Sequence, residues 1–257
     1  MSIITLTTDW NARDYYVGTI KGKILSRCNN VTIVDISHQV QAFNINLAAF
    51  IIRNCFYNFP PGSIHIIAVN MEGGKEHPYL AILYEGHYFL STDNGIFGLI
   101  CTENPDKIIK ITITEPVTCF SGLSVFADTA CKLCAGEKID ALGTSIHEFS
   151  RKTPIRAVIE ESVINGSVIY VDSYRNAITN ITKDLFERVG KNRPFEIYVQ
   201  SNYYKIRKIN KFYNETSPGE ILALFNSVGL LEIAINSGKA ADLLNLSINS
   251  NIRIKFQ

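Results

Sequence analysis

The chain opens on an apolar, β-branched run, Ile3 to Thr8, that stops at Asp9, turns through polar residues and resumes with apolar positions at helical spacing (Tyr16, Ile20, Ile24, Leu25). This predicts a strand followed by a helix over Tyr15 to Cys28, with Gly18 and Gly22 allowing close approach to a sheet. The alternation repeats. Val31 to Ser37 reads as a second strand with Asp35 and His38 at its end, and Asn44 to Phe56 as an apolar helix stopped by Phe59-Pro60-Pro61-Gly62. Ser63 to Val69 reads as a third strand that runs into the polar segment Asn70 to His77. Such an order predicts an α/β domain, a largely parallel or mixed sheet with helices on its faces. Tyr79–Tyr84 and His87–Ser91 then form a hairpin turned by Glu85-Gly86, Thr92 to Gly95 a tight polar loop, and Lys107–Ile113 a short strand. Ser121 to Ala135 is a helix stopped by Gly136.

Around residues 149–160 the periodicity fails, charge is mixed and Pro154 intervenes, which predicts a linker between an N-terminal domain (1–148) and a C-terminal domain (161–257). Beyond it lie short alternating runs: 162–171, 176–181, 195–200, 219–225, 230–235 and 252–256, with one helix near 183–189. These predict a small antiparallel β-barrel or sandwich.

In an open α/β sheet, ligands sit outside the carboxyl ends of the strands, so Asp9 and Asn70 should converge on a crevice. Asp9 reads either as an acceptor for the N–H groups of its own turn or as a grip for a polyol such as a ribose diol, or for a metal. Asp14 reads as a helix N-cap.

Composition narrows the class. With 257 residues, 46% hydrophobic and 19% charged, the chain can bury a sizeable core, and a net charge of +1 without basic runs points away from nucleic acid. It carries no recognisable leader or membrane-length apolar run, which predicts a cytoplasmic protein. Cys28, Cys55, Cys101, Cys119, Cys131 and Cys134 sit mostly in apolar runs and read as small buried hydrophobes. The C-x-x-C of Cys131 and Cys134 has no second ligand pair, so packing is preferred over a redox or zinc role.

Several segments together resemble one family, the S-adenosylmethionine hydroxide adenosyltransferases, related to fluorinating and chlorinating enzymes. Thr7-Thr8-Asp9-Trp10-Asn11, Asp14 and Tyr16-Val17-Gly18 are similar to its opening motif, Asp35-Ile36-Ser37-His38 to its second. Phe59-Pro60-Pro61-Gly62-Ser63, Thr92-Asp93-Asn94-Gly95 and 172–181 follow, and Asn226 to Ala241 is similar over sixteen positions. The resemblance implies an α/β domain followed by a small β-barrel, trimers with substrate between neighbouring subunits, and no metal or cofactor. It also implies that Asp9 holds the ribose hydroxyls with Phe43 near the sugar. Asp172, Asn176 and Ser227 would meet the adenine and methionine ends, with Tyr174 as a stacking wall and Glu232 nearby. On their own, Asn176 and Ser227 read equally as turn formers and Tyr174 as core.

The implied reaction is attack of water at the ribose 5′ carbon. The family's hydrolases resemble one another in an Asp, Arg and His set, and here those positions read Asn70, His77 and Ser121. An amide is no base and a lone hydroxyl is a poor one, which leaves the imidazole of His77 as the candidate base. Glu72 or Glu76 offers a displaced carboxylate, or is simply solvated. The Tyr of the halogenating relatives at Asn70, and the Ser of the fluorinating enzyme at Gly122, are absent. Three readings follow: a slow S-adenosylmethionine hydrolase, a nucleoside or S-adenosylmethionine binder without turnover, and an enzyme on another nucleoside-like substrate.

Overall fold

The computed structural model describes residues 2–114, 118, 120–200 and 204–257. The chain divides into two compact units, Met1–Pro154 and Ile155–Gln257.

Unit 1 is built on a seven-stranded sheet. Its elements are β1 (Ser2–Thr8), α1 (Tyr15–Leu25), β2 (Val31–Ser37), α2 (Ile45–Arg53), β3 (Ile64–Ala68), β4 (Tyr79–Tyr84), β5 (His87–Thr92), α3 (Ile96–Ile100), β6 (Lys107–Ile111), α4 (Ser121–Cys134) and β7 (Gly143–Ser145). The order is β2-β1-β3-β5-β4-β6-β7, parallel from β2 to β5 and antiparallel from β5 to β7. Helices pack on both faces of β1, α1 and α4 on one and α2 on the other, which explains its nearly unbroken apolar and β-branched sequence. Ile4 and Leu6 join the core under α1 and α4. On the opposite face, Thr5 Oγ1 bonds His65 Nδ1 at 2.7 Å, next to the cluster under α2. The hairpin turn places Glu85 and Gly86 at φ 50 and 77, the doubly left-handed geometry that matches strand twist.

Local details differ from the sequence pattern for identifiable reasons. Helix α1 ends at Leu25, short of Cys28, and α2 ends at Arg53 with a separate 3-10 turn at Phe56–Asn58. The Asn44 side chain caps α2 by accepting from Leu47 N–H at 3.0 Å. Asp14 occupies the N-cap position of α1, but its side chain makes no capping bond. Gly18 and Gly22 face open space, so they do not serve a close helix–sheet approach. The short elements β7 and α3 escaped the pattern, being too brief for a period to register.

Unit 2 holds β8 (Val158–Glu160), β9 (Val163–Val171), β10 (Ala177–Thr182), α5 (Lys183–Gly190), β11 (Phe195–Val199), β12 (Lys205–Ile206), β13 (Ile209–Asn210), β14 (Ile221–Phe225), β15 (Leu230–Ile235), α6 (Ala240–Leu243) and β16 (Asn251–Phe256). Its sheet follows the path β12-β11-β16-β9-β10-β15-β14-β13, with β8 on β9. The two ends of that path, β12 and β13, are separated in sequence only by Arg207 and Lys208, so the sheet curls into a nearly closed barrel. All pairings are antiparallel except β13 with β14. Alternate residues of these strands, with Ala240, Ala241 and Leu244, fill the interior.

The cysteines are half-buried rather than fully buried: Cys28, Cys55, Cys101, Cys131 and Cys134 are unpaired thiols, and Cys119 lies outside the described residues. Burial pushes Cys101 and Cys131 up to about 12, so they stay protonated at neutral pH. Among the described residues no helix is long and apolar enough to cross a membrane.

Candidate active site

The carboxyl end of β1 delivers Asp9 between two loops. Its Oδ2 accepts the backbone N–H of Phe43 at 2.9 Å and of Asn70 at 3.2 Å. Both donors are left-handed, φ 65 and 48, an uncommon conformation that turns each amide inward. Asp9 is thus anchored by loops after β2 and β3 and not by its own turn. Among the described residues nothing bonds Oδ1. Among the described residues no group of three or more His, Cys, Asp or Glu side chains is placed to hold a metal. Phe43 itself is 75% exposed.

The end of β2 braces this arrangement. Thr8 Oγ1 bonds His38 Nδ1 at 3.0 Å, and His38 Nε2 lies 3.1 Å from Asp35, which also takes Lys21 at 2.5 Å. Burial opposes ionisation of Asp35, but the bonds from Lys21 and His38 hold its carboxyl below the usual range.

The segment after β3 is held by the loop after β5. Thr92 Oγ1 donates to the Met71 carbonyl at 2.9 Å, and Asn94 Nδ2 to the carbonyls of Val69 and Asn70 at 3.1 and 2.9 Å. His77 Nδ1 lies 2.9 Å from the Asp93 carbonyl. A carbonyl only accepts, so Nδ1 carries the proton and a neutral His77 has Nε2 as its free acceptor. Asn70 and His77 are exposed, as are Glu72 and Glu76.

The start of α4 meets the same segment. A Cβ added at Gly122 would stand 3.3 Å from Met71 Sδ. Ser121 Oγ accepts the Thr118 N–H at 2.6 Å and lies 3.3 Å from Thr118 Oγ1. Phe120, left-handed at φ 65, stacks on Tyr16 at 4.5 Å with the rings 6° apart.

In unit 2, Asp172 closes a turn onto Asn176, taking its N–H at 2.7 Å and its Nδ2 at 3.2 Å. Glu232 pairs with Ile178 across the β10–β15 ladder and is 2% exposed. Tyr213 Oη donates to it at 2.7 Å and Asn226 Nδ2 at 3.3 Å. Burial, reinforced by the Asp172 charge, raises the Glu232 carboxyl despite these donors. Asn176 is buried and serves its turn, Ser227 is exposed at the β14–β15 turn, and Tyr174 is 77% exposed, which removes the core reading for that ring.

Residues 4–143 match the SAM hydroxide adenosyltransferase N-terminal domain, and residues 166–253 match its C-terminal domain. The chain belongs to the SAM hydroxide adenosyltransferase family. Its relatives include an (R)-S-adenosyl-L-methionine hydrolase of Methanocaldococcus jannaschii, 30% identical with 100% of this chain and 97% of that protein covered. A fluorinase of Actinopolyspora mzabensis is 23% identical, with 98% and 96% covered. Among solved structures, an uncharacterised conserved protein from Thermotoga maritima has a TM-score of 0.88 at 26% identity, covering 99% of this chain and 100% of that one.

Within this member of the family, Asp9 and Asn70 meet as their strand ends demanded, and Asn70, His77 and Ser121 fall on two segments in contact. The sequence reading missed the groups that hold them: Thr92, Asp93 and Asn94 as a splint, and Tyr213 and Asn226 as donors to Glu232. Thr92-Asp93-Asn94 did stand out as a polar loop, but its partners lie more than twenty residues away at Asn70 and Met71.

Proposed function

We propose that this chain hydrolyses S-adenosylmethionine to adenosine and methionine. A water oxygen bonds to the ribose 5′ carbon as the C5′–S bond breaks, and methionine leaves as a neutral thioether. The leaving group takes no proton, so the site has only the water's proton to remove, and neither metal nor cofactor is required. One observation carries the reading. Asp9 is pinned through one oxygen by two amides, leaving the other to accept from a ribose diol beside the segment that bears Asn70 and His77. In this scheme His77 Nε2 is the general base, and Asn70 and Ser121 orient the water. Asp172, Asn176, Ser227, Glu232 and the Tyr174 ring meet the adenine and methionine ends. The assembly that fits the family resemblance is a homotrimer whose sites are completed by a neighbouring subunit, and light scattering should read three times the chain mass.

The test is chromatography of S-adenosylmethionine incubated with the protein. Adenosine and methionine should form in equal amounts above the buffer control, and His77→Ala should lower kcat by about 10²-fold or more. No adenosine after long incubation at high protein concentration refutes turnover. A second reading, nucleoside binding without turnover, draws on Ser121 Oγ being engaged by Thr118 N–H and on the replaced Asp, Arg and His. Calorimetric binding of adenosine without product release would select it.

A further inference from the structure

The segment 70–77 and the N-terminus of α4 carry the reacting groups, and one side chain lies between them. Tyr79, at the start of β4, is 3% exposed, and its ring meets Phe126 of α4 edge-on at 5.4 Å. On one side a Cβ added at Gly73 would stand 2.3 Å from Tyr79 Cζ. On the other, a Cβ at Gly122 would stand 3.0 Å from Tyr79 Cε1. The two glycines are the space the ring occupies. We propose that Tyr79 is a positioning residue of the reaction centre, its phenol joining the segment 70–77 to the start of α4 and so setting where His77 and Ser121 stand.

The hydrogen bonding of α4 shows why a phenol is needed there. The first N–H groups of a helix have no partner in the helix itself. In α4, Ser121 N–H reaches the Thr118 carbonyl at 3.1 Å and Leu123 N–H the Phe120 carbonyl at 3.0 Å. The residue at the N-cap, Phe120, has no side-chain acceptor to offer. Gly122 N–H lies between these two, and the phenol end of the Tyr79 ring fills the space between the Gly122 and Gly73 backbones. Burial raises the Tyr79 phenol, so it stays protonated and keeps its own proton to donate while it accepts. In this proposal Tyr79 caps α4 from another element and fastens the segment before it to the same point.

This inference rests on the hydrolase reading for its kinetic consequence but not for its structural one, and two measurements separate them. Hydrogen exchange needs no turnover. In the wild type the Gly73 and Gly122 amides should exchange slowly. In Tyr79→Phe, which keeps the ring and removes the oxygen, exchange across 71–77 and 121–123 should rise at least tenfold, with β3 unchanged. Fast exchange of either glycine amide in the wild type, or no local rise in the variant, overturns the assignment, whether or not the enzyme turns over. Kinetics give the second measurement. Tyr79→Phe should lower kcat at least tenfold with KM for S-adenosylmethionine within twofold, because binding at Asp9 is untouched. An unchanged kcat, or a loss confined to KM, overturns the positioning role. A wild type without turnover counts against the hydrolase reading alone and leaves the exchange result to decide Tyr79.

Discussion

Replacing Asp9 by Asn isolates the group on which the binding reading depends. The amide keeps an oxygen for the Phe43 and Asn70 N–H groups, now 2.9 and 3.2 Å from Oδ2, so the anchoring loops stay satisfied. What disappears is the negative charge on the acceptor facing the ligand. A hydrogen bond to a charged group contributes about 1.5–3 kcal/mol, which corresponds to a roughly 10- to 150-fold rise in Kd. Isothermal titration with adenosine measures this, and the melting temperature should move little because Phe43 and Asn70 are exposed. The specificity of the effect is checked with 2′,3′-dideoxyadenosine. Lacking the diol, it should bind wild type and Asp9→Asn equally. Adenosine affinity within twofold of wild type, or an equal penalty on the dideoxy nucleoside, would refute the assignment of Asp9 to the ribose.

Two further predictions concern the buried polar groups. His65 is fully buried against Thr5, His87 and the Phe89 ring, and burial, with the nearby His87 charge, lowers it to about 3. The folded state therefore binds fewer protons than the unfolded chain between about pH 3 and 6.5. The stability it contributes is full above pH 6.5 and is lost as pH falls through that window, by about 2 kcal/mol at pH 5. Urea denaturation should show the difference between pH 8 and pH 5 shrinking by about that amount in His65→Phe, and an unchanged difference would contradict the assignment. Tyr213→Phe withdraws a 2.7 Å donor from the buried Glu232 carboxyl and should cost about 1.5–3 kcal/mol by the same assay. A loss below about 0.5 kcal/mol would mean that Asn226 and water satisfy Glu232 unaided.

The legible part of this protein was the part governed by local period. Ile3 to Thr8, Val31 to Ser37 and the Tyr79–Tyr84 hairpin strand carry their pattern within a few residues, and the β-branched runs that make them strands also place Asp9 at a strand end. The turn at Asp172 to Asn176 was readable for a related reason, being short and contiguous. Two-residue strands such as β12 and β13 were not readable, because they exist only by pairing with β11 and β14.

The proposed reacting end depended on tertiary structure. No sequence pattern shows that Phe43 and Asn70, twenty-seven residues apart, turn left-handed so that both amides point at one carboxylate. Nor could the proton position on His77 be read before the Asp93 carbonyl was found against its Nδ1. By itself the sequence determined the succession of strands and helices and which residues end each strand, since those follow from side-chain period and turn chemistry. Which of those ends meet, and with what hydrogen bonds, was decided by the sheet order β2-β1-β3-β5, because strand neighbours are chosen by long-range backbone pairing and packing.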